Sequence, residues 1–259
     1  MSGQKPWTVV VAVLGILASL GVLVGIGYAA WYADGLIVRP PDYCPTGSYP
    51  QVREGIEVPG HTAILIDTSD EISATDAGLA FEKIVGWTRD TAPWLQRLSI
   101  HGLPESAGDR VARRHGTWCV PKRGADANMI YENPVYVEAQ FQRFLATLQD
   151  MFRELVRREE AAQSPIVETI ANLIEDHEDL DSVLLVSDML QNTSLWNHYT
   201  KQGDTPGIRS ECQRITSSGR LKTVYVYYID RKRPGVQAAE WPDPWWSHCL
   251  GTVQTEMLN

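Results

Sequence analysis

Oxygen-bearing side chains gather at three places along this chain. Asp67, Ser69, Asp70 and Glu71 follow the apolar run 62–66, Ser164 stands at the head of a helical pattern, and Asp188 closes the apolar run 182–186. Carboxylates and hydroxyls are hard donors, the kind that Mg²⁺, Ca²⁺ and Mn²⁺ prefer. The same acids could hold catalytic metals for the hydrolysis of phosphate esters. With no metal, the first cluster reads as a turn in which Ser73 or Thr68 caps the next helix and Asp70 and Glu71 favour its positive end.

The elements that must position these groups are read from the spacing of apolar residues. The run 62–66 is a buried strand of a mostly parallel sheet, and its polar cluster falls at the carboxyl end, where open α/β sheets place their ligand sites. A helix follows over 75–89, with Leu79, Ala80, Ile84 and Val85 at helical spacing, and then a strand over 95–103. Residues 104–133 are rich in Gly, Pro and charge and read as a long excursion with a short strand near 117–120. The longest periodic stretch, Pro134 to about Ala162, carries an apolar stripe from Val137 through Phe141, Phe144 and Leu148 to Leu155, which predicts a core-facing helix.

Ser164-Pro165 starts another helix. The acidic turn 175–179 precedes the most apolar strand, which ends at Ser187-Asp188-Met189. A mixed segment to about Thr216, a strand over 222–229 and a Trp-rich terminal helix over 241–257 complete the chain. Strands alternating with helices predict an α/β fold with a parallel sheet.

Apolar and aromatic fractions of 44% and 9% are those of a globular protein, and 259 residues leave room for one mid-sized domain with accessories. A formal charge of −9 argues against a nucleic-acid partner, since phosphate binding draws on clustered Lys and Arg. The basic bunch of Arg110, Arg113, Arg114, Lys122 and Arg123 carries no aromatic stacking motif and reads as a solvated loop.

No charged residue lies between Trp7 and Ala33, and 9–30 is almost wholly apolar, long enough at about 1.5 Å per residue to cross a bilayer core of about 30 Å. Trp31-Tyr32-Ala33-Asp34 follows the run and has interfacial aromatics rather than a small-x-small cleavage site, so an uncleaved anchor is expected. The expected layout is a cytoplasmic N-terminus (1–6), a transmembrane anchor (7–33), a Pro-rich tether (34–60) and a folded domain (61–259). Lys5 before the span places the domain outside the cytoplasm, on a single-pass protein of the inner (plasma) membrane. Gly21 and Gly25 have the spacing that lets two membrane helices approach, so self-association is a further expectation.

On this scaffold the chain resembles a von Willebrand factor type A (vWA) domain. The metal-ion-dependent adhesion site of that family takes an Asp-x-Ser-x-Ser turn, a Thr from a second loop and an Asp closing a third strand. Asp67-Thr68-Ser69-Asp70-Glu71 matches the first element with Glu71 for the second Ser. Ser164-Pro165-Ile166 resembles the second with Ser for Thr, and Ser187-Asp188-Met189 resembles the third, where the family often has Thr-Asp-Gly. The order of Asp67 to Asp70, Cys119-Val120-Pro121, Ser164-Pro165-Ile166 and Ser187-Asp188-Met189 is also similar to that in a group of membrane-anchored bacterial proteins within the fold. The resemblance covers about His61 to the C-terminus. It implies a three-layer, Rossmann-like vWA fold with a mainly parallel central sheet, preceded by one transmembrane helix. It also implies a divalent cation (Mg²⁺, Ca²⁺ or Mn²⁺) held by Asp67, Ser69, Ser164 and Asp188, with Asp70 and Glu71 as accessories, and a protein partner engaged through a carboxylate.

The six histidines are scattered and none has the paired spacing of a zinc motif, so softer metals have no expected site. Cys44, Cys119, Cys212 and Cys249 make an even number, which fits two disulfides outside the cytoplasm. Three pairings are open. Strand and helix polarity favours Cys44 with Cys212, leaving Cys119 with Cys249. Against an enzyme stand the lack of a Gly-rich phosphate loop and of a nucleophile elbow. A binding module is the leading expectation, with a metal-dependent phosphoester hydrolase and a scaffold bearing a vestigial, metal-free site as alternatives.

Overall fold

The computed structural model describes residues 15–27, 43–44, 59–104, 113–129, 132–157, 162–231 and 244–258. The expected N-terminal segment 1–6, both ends of the 7–33 span, most of the 34–60 tether and Arg110 lie outside these. The chain divides into two units, Met1–Pro41 and Asp42–Asn259. In the first, residues 15–27 form helix α1, with Leu23 and Val24 exposed. Among the described residues no helix is long and apolar enough to cross a membrane.

The second unit is an α/β domain. In chain order its elements are β1 (His61–Ile66), α2 (Ala74–Asp90), β2 (Arg97–Gly102), β3 (Arg113–Cys119), α3 (Pro134–Val156), α4 (Ile166–Asp176), β4 (Leu180–Ser187), α5 (Thr205–Ser217), β5 (Thr223–Tyr228), α6 (Pro244–Leu250) and β6 (Val253–Met257). The strands lie in the order β3-β2-β1-β4-β5-β6. All neighbours run parallel except β2 and β3. This is a doubly wound order in which the connections leave β1 and β4 in opposite directions, so the crevice at their carboxyl ends is the switch point where such sheets bind ligands.

The strand pair at the switch point is apolar throughout. Ile64, Leu65 and Ile66 stand opposite Leu184, Leu185 and Val186, and all are fully buried. Ala63, Leu65, Val183 and Leu185 pack against Ile170, Ile174, Ile208 and Trp246 of α4, α5 and α6. Ile64, Ile66, Leu184 and Val186 pack on the other face against Ile84, Phe141, Phe144 and Leu148 of α2 and α3. Continuous apolar runs, rather than alternation, are what burial on both faces requires.

Local signals account for the helix starts. Ser73 caps α2, its hydroxyl accepting from the Asp76 amide at 3.0 Å, and Asn133 accepts from the Val135 amide ahead of Pro134 in α3. Two expectations need correction at this level. β3 begins at Arg113, so Arg113 and Arg114 belong to a strand rather than to a loop. The terminal helix over 241–257 is instead a short α6 followed by a sixth strand. Gly251 adopts φ +75°, which ends the helix, and the β-branched residues Val253 and Thr255 then extend beside Val224 and Val226.

The disulfides join Cys44 to Cys119 and Cys212 to Cys249. The favoured Cys44–Cys212 pairing is therefore wrong. Antiparallel β3 returns Cys119 to the start of β2, opposite Arg97, and Tyr43 beside Cys44 packs edge-on against Phe144. Cys212 lies on α5, which packs against the α6 helix carrying Cys249.

Candidate functional site

Asp67 is the first residue beyond β1, only 4% exposed, with its amide donating to the Val186 carbonyl of β4 at 2.9 Å. Its Oδ1 accepts from the Ser69 amide at 3.1 Å and from the Ser69 hydroxyl at 2.7 Å. Its Oδ2 accepts from the Ser164 hydroxyl at 3.0 Å and the Ser187 hydroxyl at 2.7 Å. Three hydroxyls from separate segments thus converge on one carboxylate. Each gives its proton to Asp67 and keeps lone pairs that can still face a cation.

Ser164 does not cap α4 directly. It sits one residue earlier, bridged to Asn192 through both main chains, and Pro165 occupies the cap. The loop carrying Asn192 is pinned by a buried network that sequence reasoning missed. Gln191 Nε2 donates to Glu168, Gln191 Oε1 accepts from the Val167 amide at 3.1 Å, and the Thr193 hydroxyl donates to Glu168 at 2.8 Å. Stacking of Trp196 on Trp245 and of His198 on Trp246 ties the same loop to α6.

Asp188 follows β4 and is 4% exposed. Its Oδ1 accepts from the Leu190 amide at 3.0 Å, and its Oδ2 lies 3.6 Å from Arg231 Nε. Burial first, and then the nearby Asp67 charge, push its carboxyl up to about 7, against the pull of the Leu190 amide and Arg231. Met189 adopts φ +59°, a left-handed conformation that glycine takes more readily than methionine. The Ser187 hydroxyl, accepting from the Met189 amide at 2.7 Å, holds that turn.

Asp67, Ser69 and Ser164 are therefore joined by direct hydrogen bonds, and Asp188 adjoins them through charge. Asp70 turns to the Tyr199 hydroxyl at 3.4 Å, and Glu71 offers its main-chain carbonyl to Arg231. Ser187 and Arg231 were not singled out from sequence. Ser187 was within the quoted Ser-Asp-Met motif, and a polar residue closing an apolar strand beside Asp67 was the signal available. Arg231, just beyond β5, carried none.

At the other end of the same strands the structure corrects the reading of the histidines as scattered. His61 opens β1, His177 follows α4, and Asp179 precedes β4; their ligand-capable atoms lie within 4.8 Å of one another. His61 is buried, with Nε2 2.6 Å from the Ser99 hydroxyl and Nδ1 3.5 Å from Asp179 Oδ1. Burial, only partly offset by Asp179, lowers its pKa to about 4. The His61 and His177 ring centroids are 4.9 Å apart, and Arg97 Nη1 holds Asp179 Oδ2 at 2.8 Å.

The helix-covered, mainly parallel six-stranded sheet is an α/β doubly wound fold. No family model and no curated protein matches the chain. Among solved structures it is similar to a von Willebrand factor type A from Catenulispora acidiphila, at 15% identity and a TM-score of 0.39. The match covers 76% of this chain and 38% of that one.

Proposed function

We propose that this chain is a membrane-anchored, extracytoplasmic binding module of the vWA type. A divalent cation held by Asp67, Ser69, Ser164 and Asp188 engages a carboxylate of a partner protein. The observation that carries this reading is the convergence of three serine hydroxyls on Asp67 beside a second buried carboxylate, at the switch point of the sheet. The donor set fits a hard cation, because all its atoms are oxygens, and the burial and the nearby Asp67 charge that raise Asp188 are what a positive ion would offset. Bound there, the ion would supply a Lewis-acidic position for an incoming carboxylate. Asp67 orders the hydroxyls, and the Gln191–Glu168 network keeps Ser164 in place.

The apolar run 9–30 and the exposed side chains of α1 support the anchor, and two disulfides support an oxidising compartment for the domain. Gly21 and Gly25 lie on α1, which keeps helix pairing as part of the proposal.

Crosslinking of the full chain in intact membranes tests the reading. A partner adduct lost with chelator and lost in Asp67→Ala supports it; an adduct indifferent to both overturns it. One observation favours a second reading, that of a scaffold needing no metal: Arg231 already places a guanidinium beside Asp188. On that reading Arg231→Gln destabilises the domain and no divalent cation restores it.

A further inference from the structure

We propose that His61, His177 and Asp179 form a separate metal site, for a borderline transition-metal ion of the Zn²⁺ class, at the amino ends of β1 and β4. This site is independent of the oxygen site and goes beyond the binding reading. Two imidazole nitrogens and one carboxylate oxygen are a donor set that Zn²⁺ accepts and that Mg²⁺ or Ca²⁺ does not favour. Three protein ligands leave a fourth position for water or an outside group.

The geometry is prepared on three sides. The His61 amide donates to the Asp179 carbonyl at 2.9 Å, so the main chain locks two of the ligands together. The Ser99 hydroxyl holds His61 Nε2 at 2.6 Å and also meets His101 Nε2 at 2.8 Å, which sets the tilt of the buried ring. Arg97 occupies Asp179 Oδ2 and leaves Oδ1 for an ion. Groups of this kind, behind the ligands, orient a metal site.

His61 Nδ1 is the telling atom. It is buried and faces Asp179 Oδ1 at 3.5 Å. With its proton on Nε2 toward Ser99, the Nδ1 lone pair points at a carboxylate oxygen, and a cation between them reconciles the two. Bonds of about 2.0–2.1 Å put tetrahedral ligand atoms about 3.4 Å apart. The His61–Asp179 pair already has that spacing. His177 is half-buried and Asp179 exposed, so both can adjust around the fixed His61.

The test is Zn²⁺ titration of the full chain after stripping with chelator, with Co²⁺ absorption as the spectroscopic readout. One equivalent of Zn²⁺ and a visible band of low-symmetry Co²⁺ are expected in the wild type and unchanged in Asp67→Ala. His177→Ala should weaken Zn²⁺ binding at least about tenfold and remove the band. Melting in chelator, with His177→Ala matching the wild type, shows that the fold is intact. Absence of Zn²⁺ binding in the wild type, unchanged binding in both His177→Ala and Asp179→Ala, or loss of binding in Asp67→Ala would each overturn the proposal.

Discussion

The two ends of the β1–β4 strand pair carry opposite chemistry on a shared apolar spine. At the carboxyl ends the candidate ligand atoms, gathered at Asp67 and Asp188, are all oxygens; at the amino ends nitrogen dominates, with His61 buried and His177 beside it. Burial acts on both in opposite senses, raising the Asp188 carboxyl to about 7 and lowering His61 to about 4. Each shift disfavours the charged form, as desolvation must. Burial by itself therefore does not distinguish a binding site from a packed polar group; donor type and the convergence of partners do.

The comparison is broken most completely at the spine. Leu185 is fully buried on the face of β4 that α4, α5 and α6 cover, so Leu185→Asp should abolish soluble expression, since an unpaired buried carboxylate costs several kcal/mol against a total of about 5–15. A well-folded Leu185→Asp protein would place β4 outside the core. Next in size come the disulfides, which span 75 and 37 residues. Replacing both cysteines of either pair by serine should cost about 4 kcal/mol in the chain-entropy model, read from the denaturant midpoint. An unchanged midpoint would contradict that pairing.

A pH series in chelator sharpens the contrast. Folded Asp188 keeps a proton that the unfolded carboxylate has lost between about pH 4 and 7, so its contribution to stability falls as pH rises through that window. The unfolded chain protonates His61 between about pH 4 and 6.5 where the folded chain does not, so that contribution rises with pH. The two slopes oppose each other, each on the order of 2–4 kcal/mol in full. Urea unfolding should show Asp188→Asn gaining stability with pH relative to wild type and His61→Gln losing it; parallel curves for all three would contradict both shifts. The smallest effect belongs to Asp70, whose contact with Tyr199 is long and exposed. Asp70→Asn should change stability by less than about 0.5 kcal/mol.

The spine and the oxygen turn were legible in sequence because each is local: an apolar run buried on both faces, followed at once by its polar residues. Ser164 was legible as a helix-start signal, although its role through Asn192 was not. The histidine group was hidden because His61 is separated from His177 and Asp179 by more than a hundred residues, and only the parallel register of β1 and β4 brings them together. The sixth strand was masked by the tryptophans before it, which weight the segment toward a buried helix until Gly251 stops the turn. The disulfides were misjudged because the antiparallel return of β3, which fixes the place of Cys119, has no sequence signal.

Thermal melting of the full chain with and without millimolar Mg²⁺, Ca²⁺ or Mn²⁺ tests the oxygen site most directly. A cation binding only the folded state should add about 2.7 kcal/mol at a hundredfold excess over its dissociation constant. The increment should persist in His177→Ala and vanish in Asp67→Ala and in Asp188→Ala. An identical melting temperature with every cation would contradict the account and favour the metal-free scaffold, in which Arg231 stands beside Asp188.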